Sequence, residues 1–144
     1  MCRWEGFMKN VALVVEEEAL VCSLITHVLA IFDFEVFHAE SELNALSLFN
    51  KREKEYRYIY IDYNLRKGNG LKLYQTIRER NPSVLIVIAS GMPDNNLLVL
   101  NSDVNSLFLP KPFSLDDLIK SVQRTMETQN YEYDDSQKRI AAVM

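Results

Sequence analysis

Five short apolar runs, separated by helix-length amphipathic segments, constrain this chain more than any other feature. Val84–Ala89 (VLIVIA) is apolar at every position, so a strand built from it has two apolar faces and needs cover on both. Val11–Val15 runs into Glu16, Glu17 and Glu18, and Glu35–His38 is a short second strand. Tyr58–Asp62 alternates and is rich in β-formers, and Ser106–Leu109 is a brief fifth run. Between the first two, Leu20, Val21, Leu24, Ile25, Val28, Leu29 and Phe32 recur at helical spacing, which predicts a helix over Glu18–Ile31. Ser41 is placed to cap a second helix with Leu43, Leu46 and Phe49 facing inward, followed by a charged connection over 51–57. After a Gly- and Asn-marked loop at 64–70, Leu71, Leu73, Tyr74 and Ile77 give a third helix, stopped by Asn81-Pro82. A short helix follows near Asn95–Leu100. Ser114 opens a last one with Leu115, Leu118, Ile119 and Val122 on one side.

Strand and helix alternate five times. Strands apolar on both faces, joined through helices, specify a doubly wound parallel α/β sheet with helices on both sides. In such a sheet, ligands sit beyond the carboxyl ends of the strands, where strand order reverses. The acids of this chain lie there. Glu16 and Glu17 end the first strand, Asp62 the third, Ser90 follows the fourth and Lys111 the fifth.

Neighbouring carboxylates repel, and burying one unpaired is costly, so three at one place ask for a cation. Oxygen ligands alone favour a hard divalent ion such as Mg²⁺. A metal, an acceptor carboxylate, an ammonium and a hydroxyl together suit phosphoryl transfer, where catalysis is mostly positioning and charge neutralisation. On that reading Asp62 is the nucleophile, with Lys111 and Ser90 taking phosphoryl oxygens.

LVVEEEA, YIYIDYNLRKGNGL, VIASG and FLPKPFSLDDL, in this order and register, resemble the receiver domain of two-component response regulators. The resemblance runs over residues 9–128, leaving an N-terminal extension at 1–8 and a polar C-terminal tail at 129–144. It implies a flavodoxin-like five-stranded sheet of order 2-1-3-4-5. Asp62 matches the phosphoacceptor, and Glu16-Glu17 the acidic pair that binds Mg²⁺. Asn64 matches the position whose backbone carbonyl completes metal ligation, Ser90 and Lys111 the hydroxyl and lysine that meet the phosphate, and Phe108 the switching aromatic. The Lys111-Pro112 peptide is usually cis in this family. The phosphoryl group would come from a histidine kinase or a histidine phosphotransfer protein, and the domain would assist its own phosphorylation and dephosphorylation rather than act as an ordinary enzyme.

Three departures qualify the resemblance. The acidic pair is Glu-Glu, where Asp-Asp or Glu-Asp is usual, so Mg²⁺ binding is expected to be weaker. Arg66 replaces a proline common in the loop after the acceptor. The usual Gly-Ala-x-Gly before the fifth strand is missing from SDVNSLFLPKPF. A non-phosphorylated pseudo-receiver, acting as a protein-interaction module, is therefore the alternative function. An unrelated nucleotide binder is disfavoured, because the chain lacks GxGxxG and GxxxxGK[ST].

Ordinary roles account for the remaining residues. Glu18 suits a first helical turn. Tyr56, Tyr58 and Tyr60 alternate, which predicts packing on one shared sheet face. His27 reads as a surface residue, and neither it nor His38 has a metal-ligand partner at useful spacing. At 144 residues, 48% hydrophobic and 25% charged, the chain reads as one soluble domain. A net charge of −4 argues against direct DNA binding. Cys2 and Cys22 form no disulfide framework, no apolar run is long enough for a membrane helix, and a cytoplasmic location is expected. A homodimer stays open.

Overall fold

The structure, a computed structural model, describes residues 10–133, with side chains as far as residue 127. The expected extension at 1–8, and the part of the expected tail beyond residue 133, lie outside the described residues. Strands β1 (Asn10–Val15), β2 (Phe34–Ala39), β3 (Tyr56–Asp62), β4 (Leu85–Ser90) and β5 (Ser106–Pro110) form one sheet of order β2-β1-β3-β4-β5. Every pairing is parallel. The α-helices are α1 (Ala19–Ile31), α2 (Glu42–Asn50), α3 (Gly70–Arg80) and α4 (Leu115–Tyr133). This is the doubly wound order expected.

Alternation along each strand sorts the core into two layers. Val11, Leu13, Val15, Ile59, Ile61, Ile86 and Ile88 pack with Ala45 and Phe49 of α2 and Leu73 and Ile77 of α3. Ala12, Val14, Tyr58, Tyr60, Val87 and Ala89 pack with Ile25 and Leu29 of α1 and Leu118 and Val122 of α4. Each fully buried aliphatic side chain contributes about 1.5–3 kcal/mol, so the central strands anchor the fold. Side-chain caps set three of the α-helix starts. Ser41 Oγ accepts from Asn44 N at 3.1 Å, Asn69 Oδ1 from Lys72 N at 3.0 Å, and Ser114 Oγ from Asp117 N at 3.0 Å.

The structure corrects two expectations and refines a third. Tyr56 does not share a face with Tyr58 and Tyr60. The β1–β3 register slips between Val11 and Ala12, so Val11 faces Tyr56 and Ala12 faces Tyr58. The residue left over, Arg57, bulges the strand and turns Tyr56 onto the other layer, stacked on Phe49 with centroids 5.9 Å apart. Leu20 and Leu24 of α1 and Leu43 of α2 face solvent, Leu20 at 86% exposure and Leu43 at 77%. A helix lying on a sheet buries only one stripe, and in α2 Ala45 and Phe49 fill it. Finally, the short fourth helix is a 3₁₀ helix, Asn95–Ser102, with only Leu97 and Leu100 buried. Two inward side chains give too narrow a stripe to hold a full α-helix on the sheet.

Candidate functional site

Register brings the chemistry together at the carboxyl ends of β1, β3, β4 and β5. Glu16 N donates to Ala39 O at 3.0 Å, Tyr63 N to Ala89 O at 2.8 Å, and Lys111 N to Ser90 O at 2.9 Å. These backbone bonds carry the sheet ladder one step past each strand, so Glu16, Asp62, Ser90 and Lys111 leave neighbouring ends of one rigid surface.

Glu16 is fully buried. Its Oε1 receives Lys111 Nζ at 3.1 Å and the Tyr60 hydroxyl at 3.1 Å, and its Oε2 receives Glu18 N at 3.1 Å. His38 Nε2 donates to its carbonyl oxygen at 2.9 Å. An isolated buried carboxylate would be costly, and this one has an ammonium, a phenol and an amide. Lys111 also lies 3.6 Å from Asp62 Oδ2, so one ammonium bridges two acids.

Asp62 Oδ1 accepts from Asn64 N at 3.1 Å. Burial and the adjacent Glu16 charge hold its carboxyl above the usual carboxylate range, while Lys111 and the Asn64 N–H pull it back. Ser90, buried, donates to Asn64 Oδ1 at 2.8 Å and accepts from Met92 N at 3.0 Å. Phe108 is half-buried opposite Ile88, on the α2–α3 layer. The Lys111-Pro112 peptide is cis.

Glu17 is the exception. Its Oε1 accepts from the backbone N–H of Arg66 at 2.6 Å, in the loop after β3. Glu16, Asp62 and Lys111 meet; Glu17 is turned to that loop. Among the described residues, no group of three His, Cys, Asp or Glu side chains is placed to hold a metal ion. With Glu17 turned away to Arg66, the expected ligand set of Glu16, Glu17, Asp62 and the Asn64 carbonyl is not gathered around one point and does not fit a cation as it stands.

Two contributors escaped the sequence reading. Tyr60 packs as its alternation predicts, but its hydroxyl also holds Glu16. Burial, then the Glu16 charge, push that hydroxyl far above its ordinary pKa, so it stays a donor. Its signal was present: Tyr60 stands two residues before Asp62 and opposite Val14, hence on the face toward which Glu16 points. Tyr63, next to Asp62, donates its hydroxyl to both oxygens of Asp94 at 2.9 and 3.0 Å and so ties the β3 loop to the β4 loop.

The site thus sets a carboxylate beside an ammonium, with a hydroxyl on the next strand end, at the carboxyl edge of a doubly wound sheet. The family profile described as "Response regulator receiver domain" matches residues 12–123, and the chain belongs to that family. Receiver domains generally bind Mg²⁺ in the acidic pocket at these strand ends. Among curated relatives, a probable transcriptional regulatory protein of Picosynechococcus is 28% identical over 125 residues, covering 83% of this chain and 50% of its own length. The sensor kinase CckA of Brucella abortus is 28% identical over 82% of this chain and 13% of its own. The chain thus spans half the length or less of the curated relatives it matches. Among solved structures, the receiver domain of NtrX from Brucella abortus superposes with a TM-score of 0.66 at 28% identity, covering 81% of this chain and 98% of that one. A receiver domain protein from Clostridium thermocellum has the same fold, with a TM-score of 0.72 at 20% identity over 85% of this chain and 98% of that one. No described helix is long and apolar enough to cross a membrane.

Proposed function

We propose that the chain accepts a phosphoryl group on Asp62 from a histidine kinase or a histidine phosphotransfer protein, in the cytoplasm, and switches the binding of a partner. The observation that carries this reading is Lys111 Nζ, 3.1 Å from Glu16 and 3.6 Å from Asp62. A carboxylate oxygen of Asp62 forms a bond to phosphorus as the phosphorus–nitrogen bond of a phosphohistidine breaks, and the leaving imidazole takes a proton from solvent. The carboxylate's charge leaves with the imidazole nitrogen, where that proton neutralises it, and the phosphoryl group keeps its own charge, part of which Lys111 offsets. The Ser90 hydroxyl turns from Asn64 Oδ1 to a phosphoryl oxygen, releasing Met92 N–H and drawing the β4 loop inward. Phe108, half-buried beside that loop, then turns into the space vacated, and the surface around β5 changes shape.

The test is incubation of the protein with a small phosphodonor and Mg²⁺, with intact mass read afterwards. Wild type should gain the mass of one phosphoryl group, and Asp62→Asn should gain none. Equal labelling of both would refute the assignment of Asp62.

The second reading is the pseudo-receiver, an interaction module that is never phosphorylated. The engagement of Glu17 by Arg66 N–H favours it. An unlabelled wild type under conditions that label a control receiver would select it.

A further inference from the structure

Two residues single themselves out near the acceptor. Glu17 carries one methylene more than the aspartate common at its position, and Arg66 has a backbone N–H where proline has none. The structure joins them in one hydrogen bond, Arg66 N to Glu17 Oε1 at 2.6 Å, across 49 residues of sequence. We infer that Glu17 is a clasp on the loop after β3, and that this clasp and a cation at the acidic strand ends compete for the same carboxylate.

The loop is held from two sides by acids. Beyond Arg66, Asn69 N donates to Glu42 Oε1 at 2.9 Å, and Glu42 N donates to Lys67 O at 3.1 Å. Gly68, with φ of 130°, lies so close to α2 that a Cβ there would sit 2.3 Å from Glu42 Cβ. The downstream half of the loop is therefore fixed against α2, and Glu17 fixes its upstream half against β1. Asn64 lies inside this span and holds both Asp62, through its N–H, and Ser90, through its side chain. The clasp consequently keeps the acceptor's own loop in register.

A carboxylate accepting an N–H at this distance is a charge-assisted hydrogen bond, the stronger kind. Glu17 is not grouped with Glu16 and Asp62 around a cation as it stands, so to join them its side chain must leave the loop and give up or weaken this bond. By linkage, whatever factor the clasp takes from cation affinity, the cation takes from the clasp. Arg66→Pro removes the donor and leaves Glu17 in place. Glu17→Asp keeps the charge on a side chain one methylene shorter, which draws it back from the loop.

This inference concerns the pocket of the proposed function, but its readouts need no phosphorylation, so either can fail alone. Mg²⁺ binding is measured by calorimetry on wild type, Arg66→Pro and Glu17→Asp, and exchange of the Arg66 amide proton is followed by NMR with and without Mg²⁺. Both variants should bind about tenfold more tightly than wild type, equivalent to about 1.4 kcal/mol. In wild type the Arg66 amide should be protected from exchange and lose that protection as Mg²⁺ is added. Affinity in Arg66→Pro equal to or below wild type would overturn the inference. If Arg66→Pro fails to fold, Glu17→Asp and the wild-type amide decide: an Arg66 proton equally protected in saturating Mg²⁺ sinks the competition, and a deprotected one supports it.

Discussion

Lys111→Met should cost far more stability than its modest exposure suggests. The ammonium serves a fully buried Glu16 at 3.1 Å and Asp62 at 3.6 Å, while its own side chain is 21% exposed. At an effective dielectric of about 20, each contact is a gross attraction of about 5 kcal/mol, most of it offset by desolvation of the ions. Removing one partner of a buried pair costs about 3–5 kcal/mol, because the remaining charge is left in a low-dielectric site. The Tyr60 hydroxyl and Glu18 N–H stay on Glu16 and soften that cost, so we expect a loss of about 2–3 kcal/mol by urea unfolding at neutral pH. The loss should shrink in acid. Asp62 is already raised by burial and by Glu16, and losing Lys111 raises it further. A raised carboxyl contributes stability below its unfolded pKa that is lost as pH rises through its folded one, so the variant regains ground on acidification. Lys120→Met is the control. Its pair with Asp116 is as short, at 3.0 Å, but both side chains are 70% exposed, and the urea midpoint should not move. A loss for Lys111→Met under about 1 kcal/mol, or one unchanged from about pH 7 to about pH 4, would refute the reasoning.

Asp62→Asn should raise the urea midpoint at neutral pH, since burial and Glu16 oppose the ionised acid there. The gain should vanish once acid protonates Asp62 in wild type. Arg78→Met should lose about 3 kcal/mol by the same assay, because it breaks a pair that is largely buried. Arg78 Nε holds Asp103 at 2.9 Å, and its other nitrogens hold the carbonyls of Asn81, Val84 and Asn105. Burial would raise Asp103, but the Tyr74 hydroxyl, the Asn105 N–H and Arg78 outweigh it and hold the carboxyl low. Its contribution is therefore present at neutral pH and lost as pH falls through that lowered value. Gly70→Ala should destabilise by about 2 kcal/mol, read as a drop in thermal midpoint. A Cβ at Gly70 would stand 2.8 Å from the backbone of Tyr63, which its N–H bond to Ala89 O holds to the sheet.

How much of this was legible depended on whether the signal was periodic or tertiary. VLIVIA and VALVV announce buried parallel strands by composition alone, and residues that end such strands must converge when the sheet forms, so Glu16, Asp62, Ser90 and Lys111 could be placed together from their order. Tyr56 shows where that logic stops. Strict alternation put it with Tyr58 and Tyr60, but the bulge at Arg57 is fixed by how β3 pairs with β1, which no local pattern records. Leu20 and Leu43 fail similarly, because helical spacing marks a stripe and the sheet decides its width.

The pair Glu17 and Arg66 is the more instructive case. Each is visible in the sequence as a departure, but only the Glu pair argues by itself for weaker Mg²⁺ binding, and Arg66 argues for nothing specific. What the sequence withheld was that they meet. A backbone N–H is anonymous in sequence, since every residue but proline has one, and its partner depends on which loop approaches which. Once β1 and β3 are neighbours, the segments following them share one edge of the sheet, and a side chain one methylene longer reaches an N–H that proline would not have offered. The longer acid and the missing proline are then one structural change rather than two. Reversing either should reopen the pocket, and reversing both should do no more than reversing one. If Glu17→Asp and Arg66→Pro instead add independently in Mg²⁺ affinity, the two residues do not act through the same bond.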